Sequence, residues 1–333
     1  MKPEKFMVIG SNSFSGASFI EYVLRDNPAA EVVGIGRSPE HEDCLLPYKQ
    51  IKGAKFGFFR LDLNKDLDGI MGVVKDFRPD YIVNFAAQGM VAESWKDPKQ
   101  WFQTNCVAVV GLADRLTEEA YLKRYVQVSS PEVYGPCRNV TEESAKFNPS
   151  TPYAASKAAG DLGLYPFFLH KGFPLVYTRG TNVYGPYQQV YRIIPRTVLS
   201  VKAGVKVMLQ GGGRAVKSYI HIKDVCDATL KIARYGRNGE VYHISPDGDG
   251  ISIYDLVKTV CAKMGRDMEE CVESTGDRLG QDAVYAIDSS KVRKELGWRP
   301  GIDLESGIDG VIEWVERYYD ELMKLPQTYI HKP

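Results

Sequence analysis

Phe6-Met7-Val8-Ile9-Gly10-Ser11-Asn12-Ser13-Phe14-Ser15-Gly16 is the stretch that decides the reading of this chain. Four apolar residues of β type run straight into a glycine-bounded turn, and a helix-compatible stretch continues to about Arg25. Glycines at a strand-to-helix junction let the backbone approach a pyrophosphate, which then rests on the free N–H groups at the helix N-terminus. Ser13 replaces the middle glycine of the usual pattern, and a simple tight turn would satisfy the same spacing. The position at the first strand–helix junction favours the phosphate reading. Gly10, Ser13, Phe14, Ser15 and Gly16 are therefore cofactor-binding candidates.

The same rhythm continues downstream. Apolar runs at 31–35, 55–59, 81–85 and 125–129 alternate with stretches long enough for a crossover helix, and runs at 174–178 and 240–244 look like later members of the series. Nearly continuous apolar character suits strands buried on both faces, so the fold expected is α/β: a Rossmann-type doubly wound parallel sheet. The region from Gly180 to about Gly213 and the tail beyond Ile251 carry no second series. They predict a smaller, mixed α/β substrate-binding C-terminal lobe. The division expected is residues 1–179, with about 216–245, for the NAD(P)-binding domain, and 180–215 with 246–333 for the lobe.

Composition narrows the function. The 333 residues include 42 Lys plus Arg against 42 Asp plus Glu, so no global field would hold a nucleic acid or an acidic membrane. Six scattered cysteines show no CxxC and no zinc spacing, which implies reduced thiols, no metal and a cytoplasmic location. Neither a signal peptide nor a membrane span is expected.

Twenty residues past Gly16 the second run ends in Gly36-Arg37-Ser38, where NAD-preferring sheets usually carry an acid for the ribose 2′-hydroxyl. A small residue followed by Arg37 and Ser38 offers room, charge and donors for a 2′-phosphate, so NADP is favoured over NAD. The rival reading is that Arg37 is an ordinary exposed cation. Asp62, followed by Leu63, ends the third run and is read either as an adenine contact or as a helix N-cap.

The chemistry is expected around Thr151-Pro152-Tyr153-Ala154-Ala155-Ser156-Lys157. Ser150 or Thr151 can cap a helix that opens at Pro152, and Tyr153 and Lys157 then stand one turn apart on one face. A nearby ammonium stabilises phenolate, so Lys157 is expected to lower the Tyr153 pKa and ready the phenol for proton transfer near neutral pH. Ligands of such sheets bind outside the carboxyl ends of the strands, which puts Ser130 and Glu132 of Ser129-Ser130-Pro131-Glu132-Val133-Tyr134-Gly135 in the same crevice. A cap at Ser130 and a plain loop carboxylate at Glu132 are the alternatives. Pro166 should kink its helix or end it early.

Together these motifs resemble an extended short-chain dehydrogenase/reductase of the nucleotide-sugar 4,6-dehydratase type. Asn84-Phe85-Ala86-Ala87-Gln88, Trp101-Phe102-Gln103-Thr104-Asn105, Thr178 to Pro186 and Arg278-Leu279-Gly280-Gln281-Asp282 are similar to further segments of that family, so the resemblance covers nearly the whole chain. It implies that Ser130, Tyr153 and Lys157 form the active triad and that Glu132 removes the proton at sugar C5. Ala86, Ala87, Gln88 and Asn105 would join the cofactor site. Glu93, Ser130, Asn182, Arg192, Lys217 and Arg278 would hold a nucleoside-diphosphate sugar, the substrate and only small-molecule partner expected besides the NAD or NADP cofactor. A homodimer built on helix pairing is also implied. Three positions depart from the family's pattern: Pro131 stands where dTDP-glucose dehydratases place an acidic proton donor, Lys217 replaces an Arg, and Met90 replaces a His. A 4-epimerase, a UDP-glucuronate decarboxylase or a 4-keto-sugar reductase would share the fold, and a non-catalytic NADP-binding sensor is the reading from another class.

Overall fold

The computed structural model describes residues 3–144, 146–276 and 285–332. Its frame follows the expected rhythm. In chain order the principal elements are β1 (Lys5–Ile9), α1 (Phe14–Asp26), β2 (Glu31–Gly36), β3 (Phe56–Arg60), α2 (Leu67–Phe77), β4 (Tyr81–Asn84), α3 (Val109–Leu116), β5 (Arg124–Val128), α4 (Pro152–Lys171) and β6 (Leu175–Gly180), followed by α5 (Ile193–Ala203), α6 (Ile222–Tyr235), β7 (Val241–Ile244), α7 (Ile253–Lys263) and α8 (Leu304–Arg317).

The seven strands form one sheet in the order β7-β6-β5-β4-β1-β2-β3, with every neighbouring pair parallel. Successive side chains of a strand face opposite ways, and β1 uses both directions. Phe6 and Val8 enter a core with α1 and α6, while Met7 and Ile9 enter a second core with α2, α3 and α4. Each such side chain, fully removed from water, contributes about 1.5–3 kcal/mol. β3 departs from the expected burial on both faces. It is the sheet edge, and Phe59 is 41% exposed because no strand covers its outer side.

The chain reverses direction across the sheet between β1 and β4, which opens a crevice at their carboxyl ends. Beside it lies a smaller body in which α5, α7 and α8 pack through Ile194, Val198, Leu256, Val260, Ile308 and Trp314. Short strand pairs complete it, including Val207–Gln210 beside Val272–Thr275 and Asn182–Tyr184 beside Tyr219–His221. The Trp314 indole donates to the Cys44 carbonyl (2.9 Å), tying this body to the segment that follows β2.

Two helices differ from expectation. α4 passes through Pro166 without ending and stops at Gly172, which takes the left-handed conformation (φ +66°). The carbonyl that Pro166 cannot bond belongs to Leu162, which is exposed. Between helix Pro98–Phe102 and α3, residues Gln103–Ala108 form a wider π-helical turn that carries Thr104 and Asn105. Among the described residues, no helix is long and apolar enough to cross a membrane.

Candidate active site

The first βα turn is built around its glycines. Gly10 has φ +82°, and a Cβ on it would stand 2.6 Å from the Ala86 nitrogen. A Cβ on Gly16 would stand 2.3 Å from the Gly10 carbonyl oxygen, so both positions exclude a side chain. Ser13 is the N-cap of α1: its hydroxyl accepts from the Gly16 N–H (3.0 Å) and donates to the Gly10 carbonyl (2.7 Å). This explains why serine serves at the place of the middle glycine. Asn12 donates to the carbonyls of Ser38 and Pro39 (2.9 and 2.8 Å), fastening the turn to the end of β2.

Over this turn lies a cleft of about 230 Å³. Gly10, Ser13, Arg37, Ser38, Asp62, Leu63, Ala86, Ala87 and Gln88 all line it. The donor-bearing start of the 13-residue α1, the side-chain-free turn and the basic end of β2 fit a dinucleotide. Phe14, by contrast, packs in the core against α6, and Gly16 is enclosed within the turn. Asp62 is not the expected N-cap, a position that Asp66 takes; its carboxylate accepts from the Asn64 N–H (2.9 Å) inside the lining.

Asn105 acts as a bracket. Its carboxamide accepts from the Gln88 N–H (2.9 Å), donates to the Gln88 carbonyl (3.0 Å) and donates to the Ser156 hydroxyl (2.9 Å). It thereby holds the loop after β4 against α4, one residue from Lys157. Beneath that loop, the buried Asn84 accepts from the Ala86 N–H and donates to Tyr125 and Gln127.

Sequence reasoning missed Asn12, His41, Asn64, Thr104, Gln189 and Lys332 in the lining. Asn12 lay inside the quoted motif and was readable. Lys332 was not: its carbonyl accepts from Arg37 (2.6 Å), 295 positions away, and from Gln88 (3.0 Å). Residues 329–332 are held across the cleft by His331, which stacks on Trp101 (5.1 Å, 10°) and bonds Gln100 (2.7 Å).

At the far end of the crevice α4 opens with Thr151 as N-cap, its hydroxyl accepting from Ala154 N–H (3.2 Å). Ser94, unnoticed in the sequence, accepts from the Tyr153 N–H (3.1 Å). The Ser130 hydroxyl bonds the Tyr153 phenol and also accepts from the Glu132 N–H (3.2 Å), so Ser130 is both a cap and a partner of the tyrosine. Lys157 is buried and donates to the Val128 carbonyl (2.8 Å). Burial pushes its ammonium down to about 8, against the opposing charge of Asp161 and helped by Arg179.

The Tyr153 phenol corrects the expectation placed on it. Burial of the hydroxyl pushes its pKa up, the charge of Glu132 adds to the rise, and the Ser130 hydrogen bond and Arg192 oppose it. Lys157, itself pushed down by burial and donating to the Val128 carbonyl, does not outweigh that burial. An oxidised nicotinamide would supply the additional positive charge that favours phenolate.

The sugar-side candidates among the described residues lie outside the lining of that cleft. Arg192 is the N-cap residue of α5 and lies over the Tyr191 ring, with its charge felt at Tyr153. Asn182 donates to the Ser218 carbonyl (3.2 Å), and Lys217 is buried in the Val216–Lys217 strand paired with Ile251–Ser252. Glu93 is paired with Lys96 (2.7 Å). Arg278 lies outside the described residues.

A family model described as GDP-mannose 4,6 dehydratase matches residues 7–311. The chain belongs to that family. Among curated relatives of this dehydratase family it is 31% identical to a dTDP-glucose 4,6-dehydratase of Xanthomonas campestris over 262 residues, covering 73% of this chain and 74% of that one. It is 30% identical to the dTDP-glucose 4,6-dehydratase of Streptomyces niveus over 338 residues, with 99% and 98% coverage. Among solved structures it resembles the dTDP-glucose 4,6-dehydratase of Bacillus anthracis in complex with NAD (TM-score 0.85, 27% identity, 95% of this chain and 98% of that one). The UDP-glucose 4-epimerase of Thermotoga maritima, at 23% identity and TM-score 0.83, shares the fold. As a 4,6-dehydratase of the extended short-chain dehydrogenase/reductase family, the protein is a nicotinamide-dependent hydro-lyase acting on a nucleoside-diphosphate hexose.

Proposed function

We propose that Ser130, Glu132, Tyr153 and Lys157 carry out this dehydration, with NADP preferred as the retained cofactor. The observation that carries the reading is the meeting of Ser130 and the Glu132 charge at the Tyr153 phenol, one helical turn from Lys157. A bound nicotinamide supplies the hydride sink at sugar C4 and the source at C6. Tyr153 draws the proton from the 4-hydroxyl while Ser130 holds that oxygen. The 4-ketone acidifies C5–H, and the Glu132 carboxylate takes that proton. Pro131 has no proton to give, so Glu132 hands its own to the C6 hydroxyl, which leaves as water. C5 finally recovers a proton, balancing the one drawn from the 4-hydroxyl.

Arg37, Ser38 and His41 line the cleft and support NADP, since the end of β2 carries Gly36, Arg37 and Ser38 where an NAD-preferring sheet carries an acid. Arg192, Lys217, Asn182, Glu93 and Arg278 would receive the nucleoside-diphosphate sugar; by the expected division at residues 179/180 and about 215 and 245, Asn182, Arg192 and Arg278 belong to the lobe and Glu93 and Lys217 to the sheet domain facing it. Exposed Leu162, Tyr165 and Leu169 on α4, with Phe102 and Val107 nearby in the chain's helical stretch 98–116, support a homodimer paired through these helices. Six free thiols support a cytoplasmic location.

The test is incubation of purified protein with GDP-mannose, dTDP-glucose, UDP-glucose, CDP-glucose and UDP-glucuronate, following product mass. Loss of one water from one substrate, with no net cofactor consumption, is expected. An unchanged mass with altered stereochemistry, or loss of carbon dioxide from UDP-glucuronate, would replace this reading by an epimerase or a decarboxylase.

A further inference from the structure

Tyr153, Lys157 and Asp161 occupy one face of α4 at successive turns. Each meets a different one of three consecutive residues at the end of β5: Tyr153 meets the Ser130 hydroxyl, Lys157 the Val128 carbonyl (2.8 Å), and Asp161 the Ser129 hydroxyl (2.6 Å). Asp161 has no part in the chemistry described above, yet its side chain is only 2% exposed. The same carboxylate oxygen that accepts from Ser129 also accepts from Arg179 on β6 (2.6 Å). Arg179 in turn donates to the Tyr134 hydroxyl, at the end of the short helix Pro131–Tyr134 that carries Glu132. Beyond it, the Tyr134 hydroxyl meets the His243 ring (2.8 Å), and the His243 backbone N–H donates to Glu142 (2.7 Å). A single buried carboxylate thus grips both sides of the catalytic loop, Ser129 directly and the Glu132 helix through Arg179 and Tyr134.

We propose that Asp161 is a positioning residue for the reaction: it sets the register of α4 against residues 129–134, so that Tyr153, Ser130 and Glu132 converge, and it is the buried counter-charge shared by Lys157 and Arg179. The inference rests on the proposed roles of those catalytic residues. Around Lys157 and Asp161 the charged and titratable groups are Tyr153 on the same helix, Arg179 and Tyr177 on β6, the latter donating its hydroxyl to the Asp161 carbonyl (2.7 Å), and Tyr134 on the loop helix, with Glu132 at Tyr153 and His243 and Glu142 behind Tyr134. Asp161 favours the charged ammonium and Arg179 opposes it. Removing the carboxylate therefore leaves Lys157 to lose its proton at lower pH.

The test compares pH profiles of kcat and KM for the wild type, Asp161→Asn, Ser129→Ala and Tyr153→Phe. For Asp161→Asn the account expects kcat down about tenfold or more with KM within about twofold, and the alkaline limb of kcat moved to lower pH by at least about half a unit. For Ser129→Ala, which removes the grip but keeps the charges, it expects kcat down about fivefold with the limb unmoved. A folded Asp161→Asn enzyme with wild-type kcat and an unmoved limb would overturn the proposal. If Asp161→Asn does not fold, Ser129→Ala decides, and wild-type kcat there would overturn it equally. Should Tyr153→Phe retain full activity, the catalytic reading itself fails; if Tyr153→Phe is inactive while the other two variants match wild type, only the Asp161 inference fails.

Discussion

At the scale of single residues, the proposed chemistry places both the C5 and the C6 proton steps on Glu132. Pro131 occupies the place where a second acid would stand, and it is buried at the start of a short helix whose cap is Ser130. Glu132→Gln should therefore cost about 10²–10⁴-fold in dehydration while leaving oxidation at C4 intact. The check is a transient at the absorbance of reduced nicotinamide on mixing with substrate, with no water-loss product following it. Loss of the transient as well would assign Glu132 to the first step. Residue types in this site were legible because chemistry demands them: a phenol one turn from an ammonium, glycines under a pyrophosphate, a carboxylate after a strand end. What the spacing could not convey was environment. The Tyr153 phenol is pushed up by burial and by the charge of Glu132 rather than down by Lys157, and burial is a property of the fold that spacing does not carry.

Elements carried the fold into the sequence more completely than they carried the site. Strand runs and crossover lengths pointed to the parallel sheet because buried parallel strands must be apolar on both faces, and only the edge strand β3 broke that rule. Helix α4 was readable from its Thr-Pro start, but its passage through Pro166 was not, since a proline alone predicts a break. The segment at 329–332 had no local signature at all, since its meaning lies in partners hundreds of positions away. It spans the cleft from the Arg37 side to the Gln88 side and is pinned by His331 on Trp101 and Gln100. Releasing that pin should hasten cofactor escape. For His331→Ala the expected result is dinucleotide dissociation faster by about threefold to tenfold, read by stopped-flow fluorescence, for an interaction of about 1 kcal/mol. An unchanged dissociation rate would show that the segment does not retain the cofactor.

Across the whole molecule, stability should fall in mild acid. His243 is held down to about 3, first by burial and then by the charges of Arg179 and Lys291, and His221 to about 4 by burial and Lys223. Both rings are neutral when folded, whereas the unfolded chain protonates them near pH 6.5. Below that pH the unfolded state binds more protons, so stability is lost as pH falls from about 6.5 to 4, by up to about 1.4 kcal/mol per pH unit for each ring. Melting temperatures across that range should show a steeper fall for the wild type than for His243→Phe, and equal slopes would contradict the assignment. The sheet and the cleft at its switch point fit a molecule that takes a hydride from one bound sugar and returns it to the same sugar. The most direct test uses a nucleoside-diphosphate hexose deuterated at C4. The account predicts a product lighter by one water that carries the deuterium at C6, with no reduced cofactor accumulating. Deuterium retained at C4, or lost to free cofactor, would contradict it.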